Sequence, residues 1–215
     1  MRILASLTAT DPAAYGEAAD RLIASGVDGL HIDIADGSFV PYLTVGPGLV
    51  AALRRRLSDV LLDVHLMTGR PEAFFEELAA AGADRVAFHA EATRYPWRLV
   101  TLARRAGIGE IGLALNPASP LALLDSCSHD LSFVNQLTTE PDVDGERLLP
   151  NGPARIADLR AYLGGRAPIL VDGGVNVGNI RDLVRAGASD VVVGRAITGA
   201  ADQVDAVERL RAAAR

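Results

Sequence analysis

Short apolar runs rich in valine, isoleucine and leucine alternate along the chain with longer stretches whose apolar positions recur every three or four residues. The short runs predict strands at 3–7, 29–34, 60–66, 85–89, 110–115, 131–135, 169–171 and 190–193. The longer stretches predict helices at 11–25, 47–57, 71–81, 95–106, 120–127, 153–163, 177–186 and 201–213, with Leu99, Leu102, Ala103 and Ala106 as an example of the spacing. Asp11-Pro12, Arg70-Pro71 and Gly152-Pro153 mark helix starts, and Gly26, Gly82, Gly107 and Gly187 mark helix ends. Ala-Gly-Ala-Asp at 81–84 nearly recurs as Ala-Gly-Ala-Ser-Asp at 186–190, with Ser-Gly-Val-Asp at 25–28 as a third variant. Each closes a helix and opens a strand. Strict alternation implies a parallel sheet covered by helices, and eight strand–helix units close naturally into a (β/α)8 TIM barrel. An open doubly wound sheet is the alternative.

The 215 residues are 49% hydrophobic and 22% charged, which suits one soluble domain spanning 1–215. A net charge of -6 gives no basic footprint, so no nucleic-acid partner is expected. No apolar run approaches the roughly 18–20 residues that would span a bilayer, and the Met1–Ser6 start lacks a secretory h-region. No membrane association and a cytoplasmic location are therefore the expectation. Cys127 is the only cysteine, which excludes an internal disulfide and a cysteine-cluster metal site. Every basic residue apart from histidine is arginine. With no lysine there is neither Schiff-base chemistry nor a Walker A loop.

In a barrel of this kind the chemistry sits at the C-terminal ends of the strands. Those ends carry Ser6, His31 and Asp33, His65, His89, Asn116, Asn135, Asp172, and Gly194-Arg195. His31 and Asp33 are two apart, so they share one face of their strand, and Asp63 and His65 repeat the spacing on the next. Burying such groups costs several kcal/mol unless they are paired or hold a cation. Singly, each has a bland role: a satisfied structural histidine, a carboxylate capping the Gly173-Gly174 turn, or a partner for an arginine. Together on apolar strands at one barrel end they point to a divalent-metal site, and imidazole with carboxylate suits Zn, Fe(II), Mn or Co. Asp172-Gly173-Gly174 and Gly194-Arg195 follow the last two strands, where such barrels commonly grip phosphate through backbone amides. Arg195 adds a charged contact there.

Over nearly its whole length the chain resembles the ribulose-phosphate 3-epimerases. The matching segments are Ala5-Ser6-Leu7, the run from His31 to Pro41, Asp63-Val64-His65-Leu66-Met67, Phe88-His89-Ala90-Glu91-Ala92, Ala114-Leu115-Asn116-Pro117-Ala118 and Val171-Asp172-Gly173-Gly174-Val175. The resemblance implies a barrel of the ribulose-phosphate-binding type and a metal-dependent epimerase inverting C3 of a ketose phosphate, with ribulose/xylulose 5-phosphate as the default pair. It implies His31, Asp33, His65 and Asp172 as ligands of one divalent ion, and Asp33 and Asp172 as the acid/base pair. It further implies Ser6, Met67, Asn135, Gly173, Gly174, Gly194 and Arg195 at the substrate, and a homo-oligomer. Inverting a carbon beside a ketone requires a base on one face and an acid on the other. A cation between two such carboxylates acts as a Lewis acid for the enediolate.

The chain also departs from the family. Of the family's methionines around the enediolate only Met67 remains: Ala35 stands at one position and, by ungapped counting, Asn135 at another. The usual glycine-rich segment after strand six is replaced by the acidic stretch 138–146. Gly194-Arg195 stands for the family's Gly-Ser and resembles the phosphate grip of related sugar-phosphate decarboxylases and synthases. Their lysine motif is absent, so Arg195 reads as a replacement phosphate anchor. These departures keep another ketose phosphate, a free ketose and a non-catalytic barrel as alternatives.

Overall fold

A computed structural model describes residues 1–140 and 147–215. Eight parallel strands, β1 (Arg2–Ser6), β2 (Gly29–Ala35), β3 (Leu61–Met67), β4 (Arg85–His89), β5 (Glu110–Leu115), β6 (Phe133–Leu137), β7 (Ile169–Asp172) and β8 (Asp190–Val193), pair in sequence order and close β8 onto β1. The covering helices are α1 (Tyr15–Ala24), α2 (Pro47–Arg56), α3 (Phe75–Ala81), α4 (Pro96–Ala106), α5 (Gly152–Leu163), α6 (Ile180–Ala186) and α8 (Gln203–Ala213). A one-turn helix, α7 (Arg195–Thr198), follows β8 and breaks the simple alternation. The (β/α)8 barrel expected from the sequence is the observed fold.

The helices expected at 11–25 and 71–81 open as 3-10 turns, that expected at 177–186 begins at Ile180, and two further elements differ from their sequence patterns. The stretch 120–127 is not an α-helix: a 3-10 turn, Leu121–Leu124, runs into tight turns in which the Ser128 N–H donates to the Leu124 carbonyl. Serines at 126 and 128 favour such local bonding over a continued helix. Strand six lies two residues later than 131–135. The pattern ends at Asn135-Gln136 because two polar residues read as a loop, yet Gln136 is fully buried. Its amide is satisfied: Nε2 donates to the Leu115 and Leu137 carbonyls, and Oε1 accepts from Arg155 Nε at 3.0 Å.

Alternation along each strand builds two cores. Outward residues such as Ile32, Ile34, Val64, Leu66, Val191 and Val193 pack under the helices. Inward residues form a smaller apolar set of Leu4, Ala87, Ala114, Phe133, Leu137, Leu170 and Val192. Gly112 makes room for Phe133, since a Cβ there would sit 2.6 Å from its ring. The rest of the interior is polar. Arg85, Asp63 and Asp190 occupy the N-terminal half, and His31, His65 and His89 the half toward the C-terminal mouth.

Candidate metal centre and active site

The β2–β3 register sets His31 opposite Asp63 and Asp33 opposite His65, so the two inward pairs form adjacent layers. Asp172 reaches the same point from β7, three places around the barrel from β2. His31 Nε2 lies 3.1 Å from Asp33 Oδ1 and 3.3 Å from Asp172 Oδ2. His65 Nδ1 lies 3.2 Å and 3.4 Å from the same two oxygens. One donor atom from each of the four residues falls within 4.8 Å of all the others. Four of the six separations among these donors, 3.1–3.4 Å, match the edges of about 3.3–3.4 Å expected around a cation with bonds of about 2.0–2.1 Å, and the donor types suit a divalent ion. Asp63, which its spacing groups with His31, Asp33 and His65, is the register partner of His31 and meets its other ring nitrogen, Nδ1, outside the donor group.

The remaining ring nitrogens are also engaged. His31 Nδ1 meets Asp63 Oδ2 at 2.6 Å. His65 Nε2 meets His89 Nε2 at 3.0 Å, and His89 Nδ1 meets Glu91 Oε2 at 3.0 Å. A consistent proton assignment follows: His31 Nδ1–H donates to Asp63, His65 Nε2–H to His89, and His89 Nδ1–H to Glu91. Both cluster-facing lone pairs are then available.

Burial alone would push both cluster imidazoles toward the neutral form. The Asp33 and Asp172 carboxylates outweigh it, raising His31 well above the ordinary imidazole range and His65 above it. Burial likewise opposes ionisation of Asp33 and Asp172, but the two imidazoles hold both well below the usual carboxylate range. The field therefore favours positive charge between the carboxylates. His89 is lowered, first by burial and despite Glu91, consistent with its neutral role in the chain.

Glu91 is the outer anchor of that chain. Burial raises it, yet bonds from His89, Ser119 and the Asn116 N–H bring it down to about 2. A folded value below the unfolded value of about 4.3 contributes stability that is present above pH ~4.3 and is lost as pH falls toward about 2. Glu91→Gln is therefore expected to melt several degrees below wild type at pH 7, as losing a hydrogen-bonded charge worth about 1–3 kcal/mol implies. The gap should narrow below pH 5. Melting curves from pH 7 to 3.5 that run parallel would refute this role.

Asp33 and Asp172 open into a cavity of about 650 Å³, a size typical of small-molecule sites. Ser6 and Met67 line its wall, while Gly173, Gly174, Gly194 and Arg195 line the end beyond β7 and β8. Ser6 Oγ is 3.4 Å from Asp33 Oδ2. Thr8, which the sequence reading missed, holds the same oxygen more closely, with Oγ1 donating at 2.8 Å. Its only signal is a hydroxyl two residues past Ser6 in the loop after β1. Gly173 and Gly174 have φ of +114° and +71°. A Cβ on Gly174 would meet Leu148 N at 2.1 Å, so close packing of the chain after β6 requires this glycine independently of any ligand.

Asn135 points into the barrel and is fully buried, and Leu137, two residues on along the same face, lines the cavity. Of the rewritten acidic segment, Thr139 lines the cavity and 141–146 lie outside the described residues.

Fold and site thus define a (β/α)8 barrel with two imidazoles and two carboxylates grouped at its C-terminal mouth where they could hold a cation. The profile of the Ribulose-phosphate 3 epimerase family matches residues 2–198. The ribulose-phosphate 3-epimerase of Rhodospirillum rubrum is 43% identical over 195 residues, 88% of this chain and 84% of that protein. That of Bacillus subtilis is 33% identical over 98% of both chains. The chain belongs to the ribulose-phosphate 3-epimerase family, whose named members are isomerases acting on carbohydrates. Among solved structures, a ligand complex of KGPDC from Streptococcus mutans superposes with a TM-score of 0.77 at 20% identity, covering 99% of this chain and 96% of that one. Orotidine 5'-phosphate decarboxylase from Pyrococcus horikoshii gives 0.74 at 19% identity, covering 99% of each. These two likenesses bear on the fold. Among the described residues, no helix is long and apolar enough to cross a membrane.

Proposed function

We propose that the protein inverts C3 of a ketose phosphate of the ribulose 5-phosphate/xylulose 5-phosphate type, with Asp33 and Asp172 exchanging protons on opposite faces of the carbon. One observation carries the reading: the two carboxylates reach the same pair of imidazole nitrogens, within 3.4 Å, from strands three places apart around the barrel. A carbon seated between them has one carboxylate to remove its proton and another to return one from the far side. A divalent ion (Zn, Fe, Mn or Co) held by His31, Asp33, His65 and Asp172 would supply Lewis-acid stabilisation of the enediolate. Thr8 and Ser6 hold Asp33, while Met67 and Leu137 give the wall above the carboxylates an apolar surface. The test is epimerisation and C3-hydrogen exchange in heavy water across a panel of ketose phosphates and free ketoses. Failure of the metal-loaded enzyme to exchange any of them would leave a non-catalytic barrel. A hexulose 6-phosphate or free ketose clearly preferred over ribulose 5-phosphate would reassign the substrate.

The cavity end formed by Gly173, Gly174, Gly194 and Arg195 is read as the phosphate end. A guanidinium–phosphate contact is worth about 1.5–3 kcal/mol, or roughly 10–100-fold in binding. Arg195→Ala should therefore raise KM for the phosphorylated substrate about 10–100-fold with little change in kcat, and leave a free ketose unaffected. An unchanged KM in steady-state assays removes Arg195 from that role.

A further inference from the structure

The largest fully buried side chain among the described residues is Arg85, on β4 in the lower interior of the barrel. Barrel interiors are usually filled by branched apolar residues, and a guanidinium without solvent is costly unless its partners are good. Arg85 has partners on three sides. Its guanidinium lies over the Phe133 ring at 4.0 Å. Its Nη1 donates to Asp190 Oδ2 at 3.2 Å, and its Nε lies 3.2 Å from Asp63 Oδ1 and 3.4 Å from Glu110 Oε2. Arg2 closes the column below, with Nη2 donating to Asp190 Oδ2 at 2.7 Å. Asp63 in turn spends its other oxygen on His31 Nδ1 at 2.6 Å. Charges thus alternate from the N-terminal rim upward: Arg2, Asp190, Arg85, Asp63, and then the imidazole of His31.

We infer that Arg85 is a positioning residue for the cation site, acting through Asp63 to fix the ring of His31. Asp63 is 1% exposed, and Arg85 is the cation that neutralises it. The Arg85–Asp63 contact is an ion pair of loose direction, since neither Arg85 Nε nor Asp63 Oδ1 has a well-aligned hydrogen-bond partner. Its action is therefore electrostatic: it holds the Asp63 carboxylate against His31 Nδ1 at 2.6 Å, which orients the ring with Nε2 toward Asp33 and Asp172. Phe133, wedged against Gly112, sets the height of the guanidinium. Nothing in this column touches the cavity, so its effect falls on cation affinity ahead of substrate binding. The inference rests on the cation-site reading above.

The test is Co²⁺ binding to the full-length protein, with affinity taken from chelator competition and ligand geometry from the visible absorption band. Arg85→Gln is expected to bind Co²⁺ about 10–100-fold more weakly with an altered band, and to keep its KM for the ketose phosphate once Co²⁺ is saturating. Arg85→Lys, which keeps the charge but has a single ammonium for Asp63 and Asp190, should lose about three- to tenfold. Asp63→Asn should weaken binding as Arg85→Gln does, and the double variant Asp63→Asn/Arg85→Gln should be no weaker than Asp63→Asn alone within about threefold. Affinity within twofold of wild type for Arg85→Gln, or losses that add in the double variant, overturns the inference and leaves Arg85 a plug of the barrel floor. Should Arg85→Gln not fold, Arg85→Lys decides, and an unchanged affinity there overturns it. A wild-type protein that binds no Co²⁺ overturns the cation site itself, a failure distinct from that of Arg85.

Discussion

Replacing Asp172 by asparagine is expected to lower kcat for epimerisation by at least about 10³-fold, and Asp33→Asn likewise. Positioned acid–base catalysis contributes typically 10²–10⁴-fold, and here each carboxylate also supplies a donor to the cation cluster. The two effects separate if activity is measured at saturating metal and bound metal is counted in the same samples. The two-sided arrangement makes a sharper demand. With one carboxylate gone, the other still reaches one face of the substrate carbon. Each variant should then exchange the C3 hydrogen of only one epimer in heavy water, slowly, and the two variants should choose opposite epimers. A metal-replete Asp172→Asn enzyme within tenfold of wild type would remove Asp172 from proton transfer. Variants that exchange the same epimer would show that one residue serves both faces.

The fold was largely legible because barrel strands and helices carry different apolar periods, and boundary signals separated them. The site was legible in part. The spacing of His31 with Asp33, and of Asp63 with His65, places each pair inside the barrel. It does not reveal that the register sets Asp63 against His31, where its carboxylate meets Nδ1 and leaves Nε2 to the donor group. Asp172 comes from three places around the ring, and no local spacing links it to β2; only the family resemblance did. The end of strand six was misplaced because a buried glutamine, Gln136, stands just before its last residue. Arg85 drew no notice because a charge at the start of an apolar run normally marks the rim of a strand. Here the closed barrel turns that position inward and hides it completely.

Stripping the divalent ion with a chelator is expected to abolish activity and to lower the melting temperature by about 5–16 °C near neutral pH, both reversed by adding the ion back. A ligand present at 100–1,000 times its Kd stabilises the folded state by about 2.7–4.1 kcal/mol, and 1 kcal/mol moves Tm by about 2–4 °C in a chain of this size. The size of the drop should depend on pH in a fixed direction. His31 and His65 have folded values raised above the ordinary imidazole value by Asp33 and Asp172. In the stripped protein their protonated rings therefore contribute stability that is complete below the unfolded imidazole value of about 6.5 and is lost as pH rises through the folded value. The cation needs the same rings unprotonated, so its binding strengthens over the same interval. Both trends act together, and the difference in Tm between loaded and stripped protein should widen as pH rises from 5.5 to 8.5. Scanning calorimetry on matched samples measures it directly. A difference that stays constant or shrinks with rising pH would mean that the two imidazoles and two carboxylates do not share one ion.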